Sequence, residues 1–297
     1  VLVDAQPLHG GISAQMVALE IAMPEGETRK VIVRRPGARA IQRNPHAAAN
    51  EYAILQAVMR LGVKAQRPLL LDTSGEIFPE PYLVIDYIEG SADYRPADVP
   101  RTVRQMAAQL VRLHSVDGDD SALASLPRQH PRLDAWVTAR PAQVDDSLDE
   151  GRIRQALQQA WPLPAPSKVA LVHGDFWPGN LLWQAGELVA VIDWEDAEVG
   201  NPLMDFAISR LDILWIFGAQ AMQTFSDTYR ERSPLNTADF DALPYWDLLA
   251  ALRPASRIAE WAAGWAALGR DDITESTMRD GHRRFVEQAF ARIKRGT

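Results

Sequence analysis

The pattern of apolar and polar positions changes character about a third of the way along the chain. Residues 14–22 (AQMVALEIA) are mostly apolar, and residues 30–35 (KVIVRR) open on charge and carry β-branched Val31, Ile32 and Val33. Both stretches predict strands, joined by the turn MPEGET. Ile54, Leu55, Val58 and Leu61 then recur at helical spacing through residues 47–61 and stop at Gly62, predicting one helix. A further strand, PYLVIDYI, runs into Glu89-Gly90 and the turn-rich loop SADYRPADVP, which predicts a lobe boundary near residue 90. Beyond it the period is helical: RTVRQMAAQLVRLHSV, a proline-punctuated and partly helical stretch over 127–166, and nearly everything from Pro202 to Arg295. The apolar runs KVALV and ELVAVID interrupt this pattern and are expected to pair as two tight strands. The pattern therefore predicts an α+β chain, with a small β-rich N-terminal lobe (1–90) and a larger, mainly helical C-terminal lobe (91–297).

Composition narrows the function classes. A length of 297 residues with 47% hydrophobic and 24% charged side chains supports a sizeable core in two lobes. A net charge of -8 argues against nucleic acid as a partner, because a phosphate backbone calls for a basic face. With no cysteine there is no disulfide, thiolate chemistry or cysteine-bound zinc, which suits a reducing cytoplasm, the expected location. No uncharged apolar run approaches the ~18 residues of a membrane span, since ILWIFGAQAM is closed off by Asp212 and Asp227. No membrane partner is expected, and nothing in the pattern fixes an oligomeric state. The chain starts at Val1 rather than methionine, so the natural start is expected upstream.

Candidate chemistry lies in LVHGDFWPGNLLW, residues 171–183, where His173, Asp175 and Asn180 sit between apolar flanks. Asp175 and Asn180 have the spacing D-x-x-x-x-N, and Asp193 in VIDWED follows thirteen residues after Asn180, at the end of an apolar run. That is an arrangement for phosphoryl transfer. A nucleoside triphosphate needs magnesium to neutralise it, and magnesium prefers hard oxygen ligands, which the Asn180 amide and the Asp193 carboxylate supply. Asp175 is left to accept a hydrogen bond from the attacking hydroxyl as general base. His173 is read as a hydrogen-bonder that shapes the loop.

The N-terminal lobe gives an independent check. A kinase needs a cation on a strand facing the phosphates, held by a carboxylate on the neighbouring helix. Along KVIVRR, Lys30, Ile32 and Arg34 share one face and Arg35 points away. On the helix, Glu51 stands with Ile54, Leu55 and Val58 at i, i+3, i+4 and i+7, on the apolar stripe itself, where a carboxylate calls for a cation. Arg34 with Glu51 is the expected pair. Lys30 as the cation, or a solvated Glu51 at the stripe's edge, are the alternatives. Gly10 and Gly11, followed by Ser13, precede the first clear strand and are expected to lay backbone N–H groups over the phosphates.

HGDFWPGN, VIDWE and GNPLMDFA, in that order and spacing, resemble the aminoglycoside phosphotransferase and choline kinase group of small-molecule kinases, which share a bilobal protein-kinase-like fold. Gly174 and Asp-Trp-Glu stand where protein kinases carry arginine and Asp-Phe-Gly, and no Ala-Pro-Glu motif follows. The resemblance implies ATP, or GTP, and Mg2+ as cofactors, Asp175 as base, Asn180 and Asp193 on the metal, and Asp205 as a brace for the catalytic loop. It also implies a base-binding hinge at PYLVIDYI, with main-chain groups of Asp86 and Ile88. Such kinases often carry arginine where protein kinases have lysine, and a planar fork does not hold phosphate as a point charge does.

The expected activity is transfer of a γ-phosphoryl group to a hydroxyl of a small molecule. The acceptor pocket is expected between the catalytic loop and the C-terminal helices, where Phe176, Trp177, Trp183, Trp215, Trp261 and Trp265 are available. An aminoglycoside, choline, a sugar, an amino alcohol or an acyl carrier are all open as acceptor. A catalytically silent nucleotide-binding protein of the same fold is the alternative from another class.

Overall fold

The computed structural model describes residues 1–8 and 14–296. Gly10, Gly11 and Ser13, expected over the phosphates, lie outside the described residues. The N-terminal part is an antiparallel sheet of β1 (Leu2–Leu8), β2 (Ala14–Ala22), β3 (Thr28–Pro36), β4 (Pro68–Asp72) and β5 (Tyr82–Asp86), in the order β1-β2-β3-β5-β4. Between β3 and β4 run α1 (Ala38–Arg43) and α2 (Ala47–Arg60). The β-branched positions of β3 explain its central place, since a strand packed on both sides needs side chains that fill a pleated surface. Register sets the faces: Met16 lies opposite Arg34, Ala18 opposite Ile32, and on the other side Ile32 opposite Ile85 and Arg34 opposite Leu83. Directly paired residues project to the same side, so Met16, Ala18, Ile32, Arg34, Leu83 and Ile85 form one surface. Ile54, Leu55 and Val58 of α2 are buried in the same core.

The C-terminal part is helical, as its pattern predicts: α3 (Val99–His114), α4 (Gln129–Thr138), α5 (Glu150–Ala160), α6 (Leu203–Phe217), α7 (Ala219–Arg232), α8 (Leu243–Ala251), α9 (Ile258–Ala263) and α10 (Glu275–Gly296). α3 begins where the Asp98 side chain accepts from the Arg101 N–H at 2.9 Å, and it buries Val103, Met106, Ala107, Leu110 and Leu113. It packs on α7, and α6 packs on α7 and α8. α6 is apolar nearly all round and buried over most of its length, which makes it the central pillar.

Four short strands separate α5 from α6, and here the expected pairing is corrected. KVALV and ELVAVID do not pair with each other. β6 (Ala170–Val172) pairs with β9 (Glu198–Gly200), while β7 (Leu181–Gln184) and β8 (Glu187–Val191) form a hairpin. The reason is the turn between them: Ala185 and Gly186 both take positive φ (50° and 76°), the two-residue geometry that matches strand twist, so the immediately preceding LLWQ captures ELVAV. The hairpin is tied to the N-terminal half by Ser91–Trp183 backbone bonds of 3.1 and 2.9 Å and by the Val191 N–H on the Lys64 carbonyl at 2.8 Å. Among the described residues no helix is long and apolar enough to cross a membrane.

Candidate active site

The hairpin brings the polar residues together. Asn180 sits at the foot of β7 and Asp193 just beyond β8, and the Ile192 N–H donates to the Asn180 carbonyl at 2.9 Å, locking the two feet side by side. Asp193 takes a left-handed backbone conformation (φ 64°), uncommon for a residue with a side chain and the kind of local strain that functional sites carry.

The loop before β7 is held from beneath by α6. Asp205, fully buried, accepts from the His173 N–H at 2.6 Å and the Gly174 N–H at 2.8 Å, and lies 3.3 Å from His114 Nε2. Burial pushes the Asp205 carboxyl up, but the hydrogen bonds and charges of its histidine and backbone partners outweigh it and hold it below the ordinary value. One turn on, Ser209 donates to the Phe176 carbonyl at 2.6 Å. Gly174 has no substitute here: its φ is +83°, and a Cβ would stand 2.3 Å from the Asp196 carbonyl oxygen. His173 shapes the loop. Its Nδ1 accepts from the Asp175 N–H at 3.3 Å and its Nε2 donates to the Ile192 carbonyl at 3.0 Å, against the Trp194 ring at 4.7 Å.

Asp175 thereby projects toward the C-terminal helices. One carboxylate oxygen takes the Asn180 amide at 3.1 Å, and the other takes Nη2 of Arg253 at 2.6 Å. Burial raises its carboxyl above the ordinary range against the pull of Arg253, which favours proton acceptance. Arg253 Nη1 in turn reaches Asp212 at 3.0 Å. Neither Arg253 nor Asp212 carries a recognisable motif. Their one trace in the sequence is on α6, where Asp205, Ser209 and Asp212 recur at i, i+4 and i+7 as a polar stripe in an apolar helix.

From the sheet, Arg34 Nε donates to Glu51 at 2.9 Å, with both side chains over nine-tenths buried, and Arg34 Nη2 reaches Asp193 at 3.1 Å and Glu195 at 3.5 Å. Lys30 stands apart, exposed, 3.4 Å from Glu89. The Asp86 N–H is taken by the Arg67 carbonyl at 2.9 Å and its carboxylate by Arg29 and Arg67, so that N–H is not free for a base. Among the described residues nothing accepts from the Ile88 N–H. Trp177 and Tyr94 stack near the loop at 6.2 Å, and Trp265 meets both rings edge-on. Phe176, Trp183, Trp215 and Trp265 are core, whereas Trp177 and Trp261 are half-exposed.

The donor set fits magnesium. The Asn180 Nδ2 is anchored on Asp175, which leaves its side-chain carbonyl oxygen for a cation, and the Ile192–Asn180 backbone bond brings Asp193 to the same end of the hairpin. Among the described residues no group of three or more histidine or acidic side chains could hold a metal alone. A site of one amide and one carboxylate suits an ion that keeps the rest of its shell for water and phosphate.

A sequence model described as "Phosphotransferase enzyme family" matches residues 4–235. Among curated proteins, acyl-CoA dehydrogenase family member 10 of Mus musculus is 29% identical over 199 residues, 62% of this chain and 18% of that protein. Acyl-CoA dehydrogenase family member 11 of Gallus gallus is 26% identical, over 58% of this chain and 24% of its own length. The chain thus spans under a quarter of these two relatives. A homoserine kinase of Methylocella silvestris is 27% identical, covering 70% of this chain and 68% of the kinase. In fold, the chain resembles amicoumacin kinase hAmiN in complex with AMP-PNP, Ca2+ and Ami (TM-score 0.62, 17% identity, 96% of this chain and 88% of that one). It equally resembles APH(2")-IIIa in complex with GDP and kanamycin (TM-score 0.62, 16% identity, 98% and 94%).

Proposed function

The chain belongs to the phosphotransferase enzyme family, and from that premise we propose that it transfers the γ-phosphoryl group of magnesium-bound ATP or GTP to a hydroxyl of a small molecule. The observation that carries this reading is the convergence of Arg34, Asn180, Asp193 and Asp175: the sheet's arginine touches Asp193, and Asn180 touches the Asp175 carboxylate.

Roles follow from chemistry. Arg34, held by Glu51, offers its fork to the triphosphate, and Asn180 with Asp193 would hold magnesium, which when bound neutralises the phosphates. The apolar surface of Met16, Ala18 and Ile32 accommodates the base, with the Ile88 N–H as the main-chain donor. The acceptor oxygen attacks the γ-phosphorus, the bond from that phosphorus to the β,γ-bridging oxygen breaks, the nucleoside diphosphate leaves, and the hydroxyl proton passes to Asp175. Positioning and charge neutralisation supply most of the rate. Lobes dividing near Gly90 would place the nucleotide between them.

The acceptor class is open between amino-alcohol or hydroxy-acid metabolites, to which the relative named homoserine kinase points, and antibiotics, to which the fold neighbours point. Nucleotide consumption and thermal shift, screened with magnesium and ATP or GTP across hydroxy amino acids, choline, sugars and aminoglycosides, test the proposal. Acceptor-dependent loss of nucleotide supports it. Stabilisation by nucleotide without consumption with any acceptor would favour a silent binder.

A further inference from the structure

Of the three polar side chains on the stripe of α6, Asp205 and Ser209 bind the loop backbone, but Asp212 reaches the loop only through another residue. Its buried carboxylate takes Arg253 Nη1 at 3.0 Å, and Nη2 of the same guanidinium reaches Asp175 at 2.6 Å. Arg253 follows α8, whose place against α6 is fixed by the buried pair Arg210–Asp247 at 2.9 and 3.1 Å. Its guanidinium also lies 5.5 Å from the centre of the Trp261 ring. One guanidinium therefore serves two carboxylates, a net negative cluster whose Asp212 end is buried and whose Asp175 end opens to the site. Stability does not account for this, because a buried ionic cluster is commonly no more stable than apolar side chains of the same volume. Geometry does: a planar fork fixes angle as well as distance. The stretch between Asp175 and Asn180 reads Phe-Trp-Pro-Gly and holds no cation, so the one on Asp175 comes from 78 residues downstream.

We propose that Arg253 is a positioning residue for the phosphoryl-accepting end of the site: gripped by Asp212 and backed by Trp261, it holds the Asp175 carboxylate in a single orientation toward the acceptor hydroxyl. The inference rests on the reading of Asp175 as the base. Among the described residues the side-chain hydrogen bond of Asp212 goes to Arg253, through which it reaches the loop.

The test compares Arg253→Gln, Arg253→Lys, Asp212→Asn and the Arg253→Gln/Asp212→Asn double variant, with Asp175→Asn in parallel. The probe is magnesium ATP with water as acceptor, read as single-turnover ADP formation beside calorimetric nucleotide affinity. Arg253→Gln should slow the step about tenfold or more with nucleotide affinity unchanged. Arg253→Lys should recover part of the rate, since a lysine reaches one carboxylate and cannot fork both. The double variant should be no slower than Arg253→Gln, the signature of residues acting as one unit. A crystal structure of Arg253→Gln gives a readout free of turnover: the Asp175 carboxylate should be displaced or split between rotamers. Wild-type turnover, multiplying losses, an equal fall in nucleotide affinity or an unmoved carboxylate would each overturn the inference. Full activity in Asp175→Asn would instead sink the base assignment, whereas an inactive Asp175→Asn beside an unaffected Arg253→Gln would sink the role of Arg253 alone.

Discussion

Asp212→Asn should make the protein more stable at neutral pH while making it slower. The Asp212 side chain is 9% exposed, and burial pushes its carboxyl up from 3.8 to about 6, even with Arg253 pulling it back down. The folded state therefore binds this proton more tightly than the unfolded chain does. The resulting stabilisation is complete below about pH 4, where both states are protonated, and is lost as pH rises through 6. A shift of roughly 2 pH units at 1.36 kcal/mol each amounts to about 3 kcal/mol. Asparagine keeps the shape and has no proton to lose, so Asp212→Asn should lack this slope. At pH 7.5 it should be more stable than the parent by about 2–3 kcal/mol, with the gap closing toward pH 4.5. Urea unfolding of both proteins across pH 4.5–7.5 measures it, because every titrating group not coupled to Asp212 through Arg253 cancels in the difference. A constant difference across that range, or an Asp212→Asn protein less stable at pH 7.5, would refute the reasoning. A stabilised but slower variant would mark Asp212 as kept for function at a cost in stability.

Other perturbations separate the remaining parts. Asp205→Asn should cost about 2–3 kcal/mol, because an amide cannot accept from both the His173 and Gly174 N–H groups and His114 without turning a donor toward one of them; chemical denaturation reports it. Asp193→Ala should abolish transfer and leave nucleotide affinity nearly insensitive to added magnesium, so a retained magnesium dependence in calorimetry would count against Asp193 as ligand. Glu51→Gln should lower kcat while destabilising by only about 1–2 kcal/mol, since Arg34 keeps Asp193 and Glu195 as partners. Full activity at saturating nucleotide would show that the Arg34–Glu51 pair is only structural.

What the sequence made legible was local or periodic. β2 and α2 follow directly from apolar spacing, and Glu51 on that helix's apolar stripe was enough to pair it with Arg34 across 17 residues. The loop over 173–180 was legible because its polar groups are close in sequence. β1, β4, β7 and β9 have no clear pattern of their own: β1 is exposed and irregular, β7 lies inside the motif's apolar flank, and β9 has three residues, too few for any period. The pairing of the short strands went wrong because a hairpin with positive φ at Ala185 was hidden inside the motif's apolar flank. Arg253 was unreadable for a different reason. Its role depends on where α8 ends in space, which the Arg210–Asp247 pair sets and no local pattern announces.

The central claim is that Asp175 accepts the proton of the attacking hydroxyl while other residues hold the nucleotide. Asp175→Asn keeps size and the contact with Asn180 but gives up charge and basicity, a role typically worth about a hundredfold to ten-thousandfold in rate. Single-turnover transfer, nucleotide affinity and melting temperature measured on one preparation decide it. The account predicts a loss of that size in the chemical step, with nucleotide affinity and folding nearly unchanged. A destabilised variant that transfers at the parent rate per folded molecule would contradict it.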